Sequence, residues 1–313
     1  MKLLLLSITC LVLTASSGQK IPAFYDYKWT PCPLENARYF SEVIKTDSGW
    51  LRNDYFLGNH TLQMKGLYED SATKIANGFF YYYYANGVPE RFGKNVHNKK
   101  EGVWMRYHHN GFIEDSTVYL DGQPSGISMG WHTNGFTADS VTYDGDDSAV
   151  EVDWSSNGSP SGAGRMKNGK TIGTWQYFHD NGKIAAQESY DVGRLVNKSY
   201  YNLTGEPEDT ASKDRTASFP GGQRAWEKFI VKEIYFPPEY KLTNTDHVTV
   251  VITAIIDEEG NIVDPFVEVP FDKRFDDIAV NIFKKSPKWL PAISHNRAVL
   301  QIVRQPITFL QSE

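Results

Sequence analysis

An Asn-Gly pair returns through the middle of the chain at a nearly constant step. It stands at Asn86-Gly87, Asn110-Gly111, Asn134-Gly135, Asn157-Gly158 and Asn181-Gly182, and Thr204-Gly205 continues the series. The steps are 24, 24, 23, 24 and 23 residues. An aromatic lies three residues before each pair: Tyr83, Tyr107, Trp131, Trp154, Phe178 and Tyr201. Phe80, Trp104 and Trp175 lie six before theirs, and Gly78, Gly102, Gly126 and Gly173 lie eight before. Asn-Gly is a strong turn signal because both residues tolerate a positive φ. A unit this short cannot bury its own apolar face, so the units must stack. The pattern predicts an elongated, twisted β-hairpin solenoid over residues 63–208. Its aromatics form one seam, as structural or binding residues. The period weakens near residue 149, where Ala149 stands for the glycine and Glu151 for the tryptophan.

Residues 19–62 precede the repeats. Trp29, Pro31, Pro33, Tyr39 and Phe40 suggest an irregular cap, which a solenoid end needs. Residues 209–216 are polar and read as a linker. From residue 217 the pattern changes. Gln223 to Glu233 has helical spacing, Val248 to Asp257 is a β-branched strand, and Ile262 to Val269 is its hairpin partner. Phe275 to Lys285 is a second amphipathic helix, ended by Ser286-Pro287. Val299 to Val303 is a last strand, continued by Ile307 to Leu310 after Pro306. The order predicts a two-layer α+β domain over residues 217–313. The fold class is therefore mainly β plus α+β.

At the start, Met1-Lys2, the apolar run Leu3 to Leu13 and the small residues Thr14 to Gly18 read as a secretory signal peptide over residues 1–18. The run is shorter than the ~20 residues that span a bilayer. Removing it leaves Cys32 as the single cysteine, so no internal disulfide is expected. The expected location is the periplasm, with envelope association open and no transmembrane segment after cleavage. The net charge of −6 argues against a nucleic-acid partner, which needs a basic face.

No P-loop, GxGxxG, HExxH or CxxC pattern occurs. No catalytic residue, metal or cofactor is expected, and the chain reads as a non-enzyme. His108, His132 and His179 each lie two residues before their Asn-Gly. In a hairpin array they would form a column with members ~9–10 Å apart. That is too far to share one metal, so turn packing is expected.

Two resemblances go further. Gly102-x-Trp104-x-x-Tyr107-x-x-Asn110-Gly111 and Gly173-x-Trp175-x-Tyr177-Phe178-x-x-Asn181-Gly182 resemble MORN repeats, in the antitoxin-like variant of the YwqK type. This resemblance implies a binding scaffold. Phe219-Pro220-Gly221-Gly222, Ile234-Tyr235-Phe236-Pro237, Ser286-Pro287-Lys288-Trp289-x-Pro291-Ala292 and Gln305-Pro306-Ile307-x-Phe309 resemble the C-terminal domain of the TonB family. So do Phe275-Asp276-x-x-Ala279 and the alternating Val248 to Asp257 strand with Gly260. The domain order resembles exported proteins of the Bacteroidetes. The TonB resemblance implies a component of outer-membrane transport. Its protein partner would be a TonB-dependent receptor, whose short segment adds as a strand. The docking edge it implies is Val299, Leu300, Gln301, Ile302, Val303 and Arg304. A cleavable leader and the lack of a Pro-rich spacer leave two alternatives open. One is a soluble envelope scaffold or adaptor without energy coupling. The other is an antitoxin-like regulator.

Overall fold

The computed structural model describes residues 23–209, 211 and 213–311. The expected signal peptide lies outside them. The described chain is mainly β, and its dominant feature is one open antiparallel sheet of 16 strands in sequence order. It begins with β1 (Ala23–Tyr25), β2 (Tyr39–Thr46), β3 (Gly49–Phe56), β4 (Leu62–Tyr68), β5 (Ala76–Tyr83) and β6 (Pro89–Val96). The middle holds β7 (Lys99–Tyr107), β8 (Ile113–Leu120), β9 (Gln123–Trp131), β10 (Thr137–Tyr143) and β11 (Ser148–Trp154). It ends with β12 (Pro160–Lys167), β13 (Lys170–Phe178), β14 (Ile184–Asp191), β15 (Arg194–Tyr201) and β16 (Pro207–Glu208). Residues 39–56, expected within an irregular cap, are instead a hairpin continuous with this sheet. The aromatic-rich cap sequence hid a strand alternation there.

Each 24-residue unit is two strands and two different turns. At one edge of the sheet lie two-residue turns with positive φ at both positions, such as Asp121-Gly122 and Asn168-Gly169. These are the hairpin turns that match strand twist. The Asn-Gly turns at the other edge differ from expectation. Gly111 has φ +88°, but Asn110 does not enter the positive region. Gly111 N donates to His108 O, and His108 N donates to Phe112 O. This is a tight turn closed by a left-handed glycine bulge. The Asn side chain holds the turn from inside, with Asn110 Oδ1 accepting from Phe112 N. Its Nδ2 then donates to Thr133 O in the next unit, and Asn134 does the same to Ser156 O.

Strand alternation splits the expected aromatic seam between two faces. Trp104 and Trp175 are buried on one face. Each ring lies across a glycine of the preceding strand, Gly93 and Gly164, where a Cβ would overlap it. Tyr83, Tyr107, Trp131, Trp154, Phe178 and Tyr201 alternate onto the opposite side, near the strand ends. Tyr107 stacks there on Phe92.

The rest of the chain forms a smaller module. It contains α1 (Gln223–Glu233), β17 (His247–Ile256), β18 (Ile262–Val269) and α2 (Lys273–Lys285). A short hairpin follows, β19 (Ala292–Ser294) with β20 (Arg297–Val299), and then β21 (Gln301–Leu310). The three-stranded sheet has the order β18-β17-β21. Val248, Val250, Ile252 and Ala254 point to the helices and pack on Trp226, Phe275, Ile282 and Phe283. The last strand differs from expectation in two ways. Val299 belongs to the extra hairpin, and β21 runs unbroken through Pro306.

The long sheet and the module touch from one end to the other. Near β2, Tyr39 and Phe56 pack on Val251 and Val269, and Arg38 Nε donates to Thr249 O at 3.2 Å. At the Asn-Gly edge, His109 stacks on Phe266 with centroids 4.1 Å apart. Near the far end, His295 stacks on Tyr177 at 3.6 Å and hydrogen-bonds Glu188 at 2.9 Å. Asn296 Nδ2 donates to Glu208. Fourteen strand steps at ~4.8 Å would span ~67 Å if flat. A compact module of ~95 residues is only ~33 Å across. The sheet must therefore curve around the module.

Candidate functional site

Most strand edges in this molecule are closed or short. The outermost strands of the long sheet have three and two residues, which limits unwanted pairing. β21 is different. All ten of the residues of β21 pair with β17 on one side, and no strand among the described residues pairs on the other. Pro306 fixes which groups face out. It pairs with Val251 and has no N–H, so that pair is of the non-hydrogen-bonded kind. By alternation, Ile302, Arg304, Thr308 and Leu310 turn their N–H and C=O groups to the open side. Pro306 offers only its carbonyl, which accepts from Gln305 Nε2. Of the docking residues expected from sequence, Gln301, Ile302, Val303 and Arg304 lie in β21. Val299 and Leu300 do not.

Side chains of the even residues face the curved sheet. Ile302 is 60% exposed. Arg304 Nε pairs with Glu268 at 2.8 Å. Ile302, Ile255 and Val263 sit in register across the module sheet. They form the floor of a cleft of about 680 Å³ between module and long sheet.

The opposite wall comes from the part of the repeat that departs from its own pattern. Cross-strand register runs Arg106–Asp115–Gly130–Asp139–Asp153–Gly162–Tyr177 on one face. One step along the same face, Ser128 and Glu151 stand where Trp104 and Trp175 stand in their units, and Thr117 and Val141 stand where Gly93 and Gly164 do. Aromatic clusters flank this stretch on both sides, around Trp104 and around Trp175. Polar substitution in the central units thus opens the cleft.

Carboxylates dominate its chemistry. The lining holds seven carboxylates against two guanidiniums. Arg106 is occupied by Glu114 at 3.2 Å and Asp115 at 3.7 Å. Burial, then the neighbouring Glu151 and Asp139 charges, pushes Asp153 up to about 7. Burial and the Asp115 charge also push Asp139 up. Burial lowers Arg297, against the pull of Asp153. The Nε of Arg297 is buried without an acceptor among the described residues.

The histidine column has a structural task. His108, His132 and His179 place Nε2 2.7–2.9 Å from the carbonyls of Trp131, Trp154 and Tyr201. A carbonyl only accepts, so each ring donates from Nε2. No group of three metal-ligating side chains occurs among the described residues. No helix among them is long and apolar enough to cross a membrane. In comparison with known proteins, the chain matches no family model and no curated protein.

The open edge was legible in sequence only in part. Its strand was found, but the β19–β20 hairpin was missed because its strands have three residues each. The acidic wall was missed too. Its one signal was the failure of the repeat, with Ser128 and Glu151 at tryptophan positions.

Proposed function

We propose that this protein is a non-enzymatic periplasmic binding protein whose β21 edge accepts an extended peptide by strand addition. The observation that carries this reading is the ten-residue unpaired edge of β21. Backbone pairing supplies affinity in such complexes, and alternate side chains supply specificity. The MORN-like sheet acts as the scaffold that holds a TonB-like module by its sheet face. The partner is a protein segment, with an outer-membrane TonB-dependent receptor as the leading candidate. The test is an NMR titration with a receptor-derived TonB-box peptide. Amide shifts concentrated at Ile302, Arg304, Thr308 and Leu310 are expected. No shift at millimolar peptide would sink the reading.

A specific observation favours the adaptor alternative over force transduction. The module is anchored to the long sheet at three separated places, through Val251, Phe266 and His295. A domain held this way is suited to presenting an edge rather than swinging on a tether. Deleting the gene is then expected to leave TonB-dependent uptake intact while an envelope partner is lost from its complex. Loss of uptake would return the weight to transport.

A further inference from the structure

We infer that the cleft beside β21 is a side-chain subsite for the added peptide, and that it takes a basic residue. The inference rests on strand addition at β21 and specifies the peptide's chemistry. A strand added outside β21 continues the register of the module sheet. Directly paired residues share a face and lie ~5 Å apart. The peptide residue opposite Ile302 therefore points its side chain to the same side as Ile302, Ile255 and Val263, which is the cleft side.

Floor and wall differ in character. Ile302, Ile255 and Val263 offer an apolar surface to a long methylene stem. Asp139 and Asp153 stand across from them in directly paired positions, and neither forms an ion pair among the described residues. Lys and Arg have the matching form, a stem that lies on apolar surface and a cationic end. The two arginines already present do not fill this role. Arg106 is held by Glu114 and Asp115, and Arg297 lies beside the Tyr177 ring and acts on Asp153 only from beyond ion-pair distance. Once Asp139 and Asp153 are ionised, an acidic side chain at the same peptide position would meet them with like charge.

The test uses the intact chain and three capped seven-residue peptides of alternating Thr and Val. They carry Lys, Ala or Glu at the centre. Each is titrated by NMR, and β21 amide shifts give the site and the affinity. The Lys peptide is expected to bind about tenfold tighter than the Ala peptide, as a close charge pair allows, with the Glu peptide weakest. The Lys advantage is expected to vanish in Asp139→Asn/Asp153→Asn. Equal affinities with shifts at Ile302 and Arg304 would overturn the basic subsite and leave strand addition standing. No β21 shift with any peptide would overturn both. Because the peptide series is run on the unmodified chain, the outcome does not depend on the double variant folding.

Discussion

A tryptophan lying across a glycine is the smallest unit on which the curved sheet depends. Trp175 covers Gly164 and is 4% exposed, and its Nε1 donates to Arg165 O at 2.9 Å. Trp175→Ala removes a buried ring and is expected to cost about 3–5 kcal/mol in denaturant unfolding. Trp154→Ala is expected to cost about 1 kcal/mol, because the bond from His132 goes to its main-chain carbonyl. Equal costs would mean that the two-face assignment is wrong. The sequence period marked both tryptophans equally. Only strand parity separates them, and parity was lost in counting residues back from the turn.

Asp153 ties stability to pH. Its folded value is about 7, against ~3.9 unfolded. The folded chain thus keeps a proton that the unfolded chain gives up in between. Stability from this group is complete below ~4 and is lost as pH rises through about 7. Asp276, pushed up to about 7 by burial, has the same sign. In Glu188 burial is outweighed by hydrogen bonds from His295, Tyr190 and Tyr200, so its value falls. Its contribution is lost only at acid pH, below ~4.3. Thermal midpoints are expected to be higher at pH 5.5 than at pH 8, with a smaller difference in Asp153→Asn. A midpoint that climbs with pH over this window contradicts the burial of these acids.

At the scale of elements, Pro306 makes β21 testable by proline placement. Ile302→Pro removes an N–H that faces the open side, so the fold is expected to survive and peptide pairing to weaken. Val303→Pro removes an N–H bonded to β17 and is expected to unfold the module, since an interior proline breaks the ladder. Circular dichroism and peptide titration distinguish the two outcomes. Similar damage from both substitutions would show that the register is misassigned. The β19–β20 hairpin is the other decisive element, an eight-residue clasp whose tip carries His295 and Asn296. His295→Ala removes the stack on Tyr177 and the bond to Glu188. Faster hydrogen exchange over residues 292–299 is expected, with α1 and α2 unchanged. Helices and long strands were legible from periodicity, and α1 and β18 match their expected bounds residue for residue. Three-residue strands carry too little pattern to be read.

For the whole molecule, the sheet wraps its own C-terminal module instead of extending as a free solenoid. The hairpin period predicted the strands but gave no sign of this embrace. Its contacts join residues far apart in sequence, from 88 positions for Asn296 and Glu208 to 211 for Arg38 and Thr249. A compact chain of ~290 residues has a radius of gyration of ~19 Å. Small-angle scattering is expected near that value, whereas a detached module beside a flat sheet ~67 Å long gives a larger one. Wrapping covers one face of the module sheet, the helices cover the other, and β21 keeps its open side.

Residue-resolved hydrogen exchange along β21, without any partner, tests that open side most directly. An open edge requires alternation. The amides of Val303, Gln305, Ile307 and Phe309 should be protected by β17, and those of Ile302, Arg304, Thr308 and Leu310 should exchange fast. Uniform protection of all eight amides would mean that the edge is already paired, and strand addition at β21 would have to be abandoned.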